Sequence, residues 1–503
     1  MIKNIVILGG GTAGWMSAAA FAAVLRDSGV SITLIESDDI KPVGVGEATI
    51  PQMQNFNKLV GIDEDEFVKA TQGTFKLGIE FVDWGKKGDR YIHSFGGVGR
   101  DFGSVPFWQY WLRMKHEEGV KPVEEYTMGI VAAHAGKFAK PTLSGDSPLS
   151  TLNYAFHFYA ALYAQYLRKI SEEKGVRRIQ GVVTSSAVDP ESGFIQSLLL
   201  EDGKIVEGDF FIDASGFRSI LLGQTLKMPY VDWSHWLPCD SALAVPCRKT
   251  GEPIPYTRST AKSAGWQWRI PLQHRTGNGY VYSSHFISDE NAAIELEGSL
   301  DGQMIGSPKQ LRFNTGRREE IWSKNVLGIG LSSGFLEPLE STSIHLVQSG
   351  LTRFLNHFPS KDCPKILRDK YNRDTNFEYE KIRDFLILHY AATTRDDSTF
   401  WDYCRNMTIP DSLKEKIDLY SSTGQIYREG SEMFNEISWF EVFEGQGIFP
   451  ELPAALSKYS ESEKVKKRFH RIAKVINNCS KVMPSHQQYI NKYCAAEDVY
   501  SRI

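Results

Sequence analysis

Cysteine is scarce in this chain. There are six in 503 residues (Cys239, Cys247, Cys363, Cys404, Cys479 and Cys494), and no two form a CxxC pair. That scatter excludes a disulfide-stapled miniprotein and a zinc-finger type of site, and predicts reduced thiols. Positive charge is not in excess either: 57 Lys and Arg stand against 61 Asp and Glu, a formal net charge of −4. No basic field points to nucleic acid. Long apolar runs are missing. A membrane helix needs about 20 apolar residues and a secretory leader about 7–15. The stretch Met1 to Leu8 offers only Ile5-Val6-Ile7-Leu8 before Gly9. A cytoplasmic protein without a membrane partner is expected. Internal repeats and low-complexity linkers are also absent from the sequence.

What the chain has in quantity is aromatic residues, 12% of the total, with 11 Trp, 21 Tyr and 28 Phe. Such a content serves either a large core or the grip on flat, π-rich ligands. Hydrophobic residues at 42% and charged residues at 23% are close to globular averages, which excludes a disordered or collagen-like chain. The length corresponds to about two to four domain-sized units.

The first fifty residues are the most legible. Ile5-Val6-Ile7-Leu8 reads as a parallel strand buried on both faces. Gly9-Gly10-Gly11-Thr12-Ala13-Gly14 follows at once, then an Ala-rich helical run from Trp15 to Leu25, then the strand Ile32-Thr33-Leu34-Ile35 closed by Glu36. Further along, Phe158, Leu162, Tyr166 and Ile170 recur every four positions and predict one helix face. Lys204 to Ile212 reads as a strand returning to the first sheet and ending in Asp213-Ala214-Ser215-Gly216. Ser241 to Tyr282 suggests an antiparallel sheet, Val326 to Gly330 a short buried strand, and the chain from about residue 345 is mainly helical. The basic stretch Lys464–Arg471 reads as a solvated helix face. The expected organisation is a discontinuous core over 1–360 with substrate-facing insertions at about 75–150 and 228–325. A helical region, 361–503, then covers the substrate site.

The glycine run has the supports that a dinucleotide site asks for: a strand before it, a helix after it, and an acid at the end of the next strand. Gly9 allows the tight turn and Gly11 lets backbone approach a pyrophosphate. Gly14 allows close helix packing. The helix start at Thr12 and Ala13 supplies oriented N–H groups. Glu36 would accept a ribose hydroxyl. A second near-match, Gly97-Val98-Gly99 with Gly103, has the wrong spacing and no strand before it. One dinucleotide is therefore expected. FAD is favoured over NAD because the chain continues far past a simple dehydrogenase layout.

Four further motifs occur in order: Gly44-Val45-Gly46-Glu47-Ala48-Thr49, Phe75-Lys76-Leu77-Gly78, Trp266-Gln267-Trp268-Arg269-Ile270-Pro271, and Gly334-Phe335-Leu336-Glu337-Pro338-Leu339-Glu340-Ser341-Thr342. Together with the single glycine fingerprint, this set resembles the flavin-dependent tryptophan halogenase family, from residue 1 to about 450. The resemblance implies an α/β fold: an FAD-binding GxGxxG fold of the aromatic-monooxygenase type, with an inserted antiparallel sheet and a mainly helical C-terminal region. It implies FAD, used as FADH2 from a separate flavin reductase, together with oxygen and a halide ion, chloride or bromide. Hypohalous acid then reaches a lysine beside an aromatic substrate.

The family match assigns Lys76 and Glu340 as catalytic. Gly46, Glu47, Ala48 and Leu336 join the glycine turn in holding the cofactor. Trp266, Trp268 and Pro271 lie near the flavin, and the Trp pair is thought to disfavour direct oxygen transfer to substrate. By residue chemistry alone, Lys76 in its apolar stretch reads as a snorkelling surface lysine. As a partly desolvated ammonium it would hydrogen-bond hypohalous acid, or form a haloamine if its pKa were lowered. Glu340 precedes a helix starting near Ser343, with Ile344, Val347, Leu351 and Phe354 on one face. Ser341 and Thr342 are N-cap candidates, and the helix N-terminus suits an anion, which makes Thr342 and Ser343 the halide candidates. Glu340 would pair with Lys76 or take the proton from the halogenated ring. Glu337 reads as structural. Tryptophan-specific members usually read Glu-Ser-Thr-Gly where this chain has Glu340-Ser341-Thr342-Ser343, and a positive φ at Ser343 would strain it.

Tyr91-Ile92-His93-Ser94-Phe95-Gly96 resembles the family's H-x-F element beside the indole ring, so His93 and Phe95 are substrate candidates on one strand face. The stretch Ile437 to Ile448 ends in Gly-Gln-Gly-Ile but lacks the tyrosine pair of tryptophan-specific members. Trp439, Phe440 and Phe443 would then line a more apolar pocket, or serve as core. The expected function is electrophilic halogenation of an indole or another electron-rich arene. A flavin-dependent aromatic monooxygenase and a non-catalytic flavin-binding protein are the alternatives. Regioselectivity, halide preference and oligomeric state, a homodimer included, stay open.

Overall fold

A computed structural model describes residues 1–38, 46–142, 145 and 147–497. Gly44 and Val45 of the glycine-acid motif lie outside the described residues. The chain forms two compact units that alternate along the sequence. The first takes Met1–Gly73, Phe158–His235 and Arg312–Glu380, and the second Thr74–His157, Trp236–Leu311 and Lys381–Ile503.

The first unit is built on a six-stranded sheet. Strand Asn4–Leu8 pairs in parallel with Ser31–Glu36 on one side and with Phe210–Asp213 on the other. Arg177–Gln180 and Val326–Gly328 extend the sheet outward, again in parallel, and Trp322–Ser323 closes one edge as a hairpin. The apolar runs read from the sequence are buried on both faces: Ile5, Val6 and Ile7 are all at most 1% exposed. Helix Thr12–Val24 packs its alanine face on helices Ala160–Glu173 and Ser343–Asn356. Small side chains let those helices come close.

The four-residue stripe from Phe158 to Ile170 is not the buried face of a helix. The helix after residue 158 spans Ala160–Glu173, and Phe158 belongs to strand Ala155–Tyr159. Its buried residues are Ala160, Tyr163, Ala164, Leu167 and Ser171, whereas Leu162, Tyr166 and Ile170 are half-buried. Four residues advance a helix by more than one turn, so a strict four-residue stripe drifts around the axis. A face that mixes three- and four-residue steps stays put.

The second unit is built on a seven-stranded sheet in the order Lys309–Arg312, Ser241–Cys247, Thr276–Tyr282, Gly265–Pro271, Thr257–Lys262, Gly78–Val82, Arg90–Ser94. From Ser241–Cys247 to Arg90–Ser94 the pairings are antiparallel except between Thr257–Lys262 and Gly78–Val82, which run in parallel. The expected antiparallel sheet thus gains two strands from much earlier in the chain. A separate pairing joins Thr74–Lys76 to Ala155–Tyr159, with Lys76 opposite Ala155. Helices Thr399–Asn406, Asp411–Thr423, Glu436–Gly445, Ser462–Val482 and His486–Tyr493 complete this unit. In Ser462–Val482 the basic run lies as a helix face: Val465 and Phe469 are buried, while Lys464, Lys467, His470 and Arg471 are exposed. Among the described residues no helix is long and apolar enough to cross a membrane. No disulfide is formed among the described residues.

Candidate active site

The glycine turn in the first unit is shaped for a ligand to approach its backbone. Gly9 has φ +119°, and a Cβ there would stand 2.2 Å from the Ala214 carbonyl oxygen. A Cβ on Gly14 would stand 1.8 Å from the Gly9 carbonyl oxygen. Gly10, which has no role in the glycine fingerprint, is packed against the Glu36 carboxylate, and a Cβ there would stand only 1.6 Å from Oε2. Gly11 differs: a Cβ there would meet no atom within 4 Å. Gly11 is also the N-cap of helix Thr12–Val24, with no side chain capping it. The N–H groups of Thr12, Ala13 and Gly14 have no partner within the helix and follow a residue without a side chain, which fits a pyrophosphate.

Glu36 ends its strand as expected, and it is held firmly. Arg178 Nε donates to Oε1 at 2.5 Å, and Trp15 Nε1 donates to Oε2 at 3.3 Å. Arg178 lies on the neighbouring strand, 142 residues away, and no local spacing announced it. Across the turn, Asp213 accepts from the N–H groups of Ser215, Leu221 and Leu222 and from the Ser215 hydroxyl. This fully buried acid shapes the loop against which Gly9 packs. Gly46, Glu47 and Ala48 form a short strand in the same unit. Burial pushes the Glu47 carboxyl up to about 7.

The 334–343 segment also belongs to the first unit. Leu336, Glu337, Glu340 and Thr342 are all buried. A 3-10 turn, Pro338–Glu340, is followed by Ser341 at φ 59°, ψ 35°, and then by helix Ser343–Asn356. The left-handed residue is therefore Ser341 and not Ser343, which takes helical backbone. A non-glycine residue held there costs about 1–2 kcal/mol. The expected N-cap contact is not made: Thr342 occupies the cap position without a side-chain hydrogen bond. Its Oγ1 is buried with no partner among the described residues. The first helical bond runs from Leu346 N–H to the Thr342 carbonyl at 2.9 Å. The N–H groups of Ser343, Ile344 and His345 precede it and have no partner within the helix. Behind this end, His345 Nε2 donates to Glu378 at 2.9 Å, and Ser349 and Arg353 donate to the same carboxylate. Burial pushes Glu378 up, but His345 and Arg353 outweigh it and hold the carboxyl at about 2.

Lys76 ends strand Thr74–Lys76 of the second unit and is fully buried. A surface lysine is thereby excluded. Its Nζ stands 5.1 Å from the centroid of the Phe95 ring, a cation–π distance. Two histidines brace the strand. Thr74 Oγ1 donates to the Pro271 carbonyl at 2.7 Å and so accepts from His157 Nδ1 at 2.9 Å. His157 Nε2 then accepts from the Thr257 hydroxyl at 2.8 Å. His486 Nε2 accepts from the Phe75 N–H at 3.0 Å, and its Nδ1 donates to the Pro253 carbonyl at 2.8 Å. Burial, then the Lys76 charge and His486, hold His157 well below the usual imidazole range. Burial also lowers His486, to about 4. Both rings are neutral near pH 7 and add no positive charge beside the lysine.

The remaining candidates also lie in the second unit. Trp266 and Trp268 sit two apart on strand Gly265–Pro271, their ring centroids 6.1 Å apart. Trp268 lies over Gly279, where a Cβ would stand 2.0 Å from its ring. Pro271 is buried, and its carbonyl takes the Thr74 hydroxyl. His93 packs edge-on against Phe385 at 5.6 Å and tilted against Phe434 at 5.9 Å. Phe95, two residues on, is half-buried and meets Lys76. On helix Glu436–Gly445, Trp439 packs on Phe385, Phe440 on Trp108 and Trp111, and Phe443 on Tyr420. All three rings are buried. Between them Glu441, not singled out by the sequence, accepts from Ser94.

Known proteins resemble this chain over nearly its whole length. The family model described as tryptophan halogenase matches residues 4–461. A flavin-dependent halogenase from Xanthomonas campestris has a TM-score of 0.95 at 44% identity, covering 99% of each chain. A flavin-dependent halogenase from Brevundimonas sp. BAL3 has a TM-score of 0.94 at 41% identity, covering 98% of this chain and 99% of its own. The tryptophan 7-halogenase KtzQ of Kutzneria sp. (strain 744) is 33% identical over 493 residues, 91% of this chain and 92% of that protein. The chain belongs to the tryptophan halogenase family and is a flavin-dependent halogenase.

Proposed function

We propose that this enzyme halogenates an indole or another electron-rich arene with chloride or bromide, and that Lys76 holds the halogenating species. The observation that carries the reading is Lys76 itself: an ammonium that is 0% exposed, with an aromatic ring 5.1 Å from its Nζ. Desolvation strengthens every hydrogen bond that such an ammonium donates. Bound as FADH2 delivered by a separate reductase, the cofactor with oxygen supplies the two-electron oxidation of halide to hypohalous acid. Gly9, Gly11, Thr12, Ala13, Gly14 and Glu36 would hold its dinucleotide part, with Gly46, Glu47, Ala48 and Leu336 completing the site. Trp266, Trp268 and Pro271 would flank the ring system.

Halide would bind at the start of helix Ser343–Asn356, where the Thr342 hydroxyl and the Ser343 N–H are donors to an anion. Lys76 Nζ–H would donate to the oxygen of hypohalous acid and make the halogen more electrophilic. The arene carbon attacks halogen, the O–halogen bond breaks, and the oxygen leaves as water after protonation. Glu340 would take the proton from the ring carbon, which restores aromaticity. His93, Phe95, Trp439 and Phe440 would form the apolar wall of the substrate site, with residues 361–503 contributing its helical part. Free tryptophan is disfavoured as the substrate because the stretch Ile437 to Ile448 lacks the tyrosine pair that would bind an amino-acid backbone. The enzyme would work in the cytoplasm, where its cysteine thiols would stay reduced.

The test combines the protein with a flavin reductase, NADH, FAD, oxygen, bromide and indole. A mass increase with the bromine isotope pattern is expected. No brominated product across a broad panel of electron-rich arenes would overturn the proposal.

A further inference from the structure

We infer that Glu441 is a positioning residue for halogenation: it clamps the end of strand Arg90–Ser94 and thereby fixes the Phe95 ring beside Lys76. The inference rests on the role proposed above for Lys76.

Glu441 stands in the middle of helix Glu436–Gly445 and is 4% exposed. Both of its oxygens serve one residue. Ser94 N–H donates to Oε2 at 2.7 Å, and the Ser94 hydroxyl bonds Oε1 at 2.8 Å, across 347 positions of chain. On its other side Ser94 is in register with Gly78, and the next N–H, of Phe95, donates to the Leu77 carbonyl at 3.1 Å. Leu77 is itself anchored through its N–H to the Pro255 carbonyl at 2.7 Å. The Phe95 backbone is thus gripped on one flank by Glu441, through Ser94, and on the other by the residue next to Lys76. The helix that carries Glu441 cannot yield easily. Asn435 Oδ1 caps it by accepting from Ile437 and Ser438 N–H, and Trp439, Phe440 and Phe443 lock it by packing.

The groups facing this carboxyl are His93 and Ser94 of the strand, and Glu124 of the 3-10 turn Val123–Tyr126. Burial raises the carboxyl to about 8; His93 and the two Ser94 bonds oppose that shift and Glu124 adds to it. Near pH 7 the group keeps its proton. The Ser94 N–H donates to Oε2 and the Ser94 hydroxyl to Oε1, and with a proton on Oε1 the second contact persists with its direction reversed. Glutamine reproduces this pattern: its oxygen accepts the N–H and its amide donates to Oγ. Above about pH 8 the wild-type carboxyl ionises, and as a carboxylate it accepts both the Ser94 N–H and the Ser94 hydroxyl, so the clamp persists in either charge state.

The experiment uses the full chain with FAD, a flavin reductase, bromide and indole. It measures bromoindole formed per flavin reoxidised, the KM for indole, and the pH profile. Glu441→Ala should lower the product yield per flavin by about tenfold or more, as expected when reacting groups lose their alignment. Flavin reoxidation should continue. Glu441→Gln should stay within about twofold of wild type at pH 7, since both hydrogen bonds survive. It should also match the wild-type yield on either side of pH 8, since either charge state of Glu441 holds both contacts. Ser94→Ala, which removes one of the two bonds, should fall between them and serves if Glu441→Ala does not fold. Wild-type yield in both Glu441→Ala and Ser94→Ala overturns the inference, and so does a Glu441→Gln variant as impaired as Glu441→Ala. Lys76→Ala, run alongside, separates the two levels. Normal halogenation there removes the reading beneath the inference, whereas a dead Lys76→Ala beside a normal Glu441→Ala overturns the inference alone.

Discussion

The backbone N–H of Phe75 donates to Nε2 of His486, a residue 411 positions later, at 3.0 Å. The strand that carries the proposed catalytic lysine is therefore pinned by the helix His486–Tyr493. That bond needs a bare Nε2, so it exists only while the imidazole is neutral. Burial holds the His486 pKa at about 4, below its ordinary value of 6.5. The unfolded chain binds a proton as pH falls through 6.5, and the folded chain does not until about pH 4. Stability from this group is thus full above 6.5 and is lost as the pH falls toward 4. A loss of about 3 kcal/mol over that window is expected from a shift of this size. Denaturant titrations at pH 7 and pH 4.5 measure it. In His486→Leu this part of the slope should disappear, and the unpaired Phe75 N–H should cost about 1–3 kcal/mol at pH 7.

Lys76→Ala should abolish halogenation while flavin reoxidation by oxygen continues, because the lysine acts on the halogenating species and not on the cofactor. Product analysis by mass spectrometry beside an absorbance trace of the flavin reads both. Halogenation at the normal rate would remove the role assigned to Lys76. Glu340→Gln should slow product formation by roughly 10²-fold, as for a lost general base.

The glycines of the turn should separate by what surrounds them. In Gly14→Ala the new methyl collides with the Gly9 carbonyl, so both melting temperature and FAD affinity should fall. In Gly11→Ala the methyl meets no protein atom within 4 Å. The melting temperature without FAD should therefore hold, while FAD affinity, followed by flavin fluorescence, drops by at least about tenfold as the methyl takes the pyrophosphate's place. Equal FAD affinity in Gly11→Ala and wild type would put the pyrophosphate elsewhere.

Thr342→Val keeps the shape of the side chain and removes a buried hydroxyl that has no partner among the described residues. Folding stability should be unchanged or slightly higher. The KM for bromide should rise by about tenfold, the loss of one hydrogen bond to a charged ligand. An unchanged halide KM would show that the anion binds elsewhere.

Much of this site was legible in the sequence because its chemistry is local. A turn that must pass through φ +119° beside a carbonyl accepts little but glycine, so Gly9 shows itself in one dimension. The same holds for the apolar strands and for the tryptophans two apart on Gly265–Pro271. Where the reading slipped, the deciding contact was remote. The α-helix Ala160–Glu173 buries Tyr163 and Leu167 because of the helices it meets, and a regular four-residue spacing could not reveal them.

The sequence by itself determined the dinucleotide turn, the strand–helix–strand frame around it, the acid at Glu36, and the ordered motifs that mark the family. Each of these is fixed by backbone geometry and side-chain type within a few residues. Only the tertiary structure decided that Lys76 is fully buried and braced by two neutral histidines, that Arg178 holds Glu36, and that Ser341 takes the left-handed turn in place of Ser343. It also decided that Glu441 closes on Ser94. Charge state and hydrogen bonding depend on burial and on partners far along the chain. Those are set by the path of the fold, which no local spacing encodes.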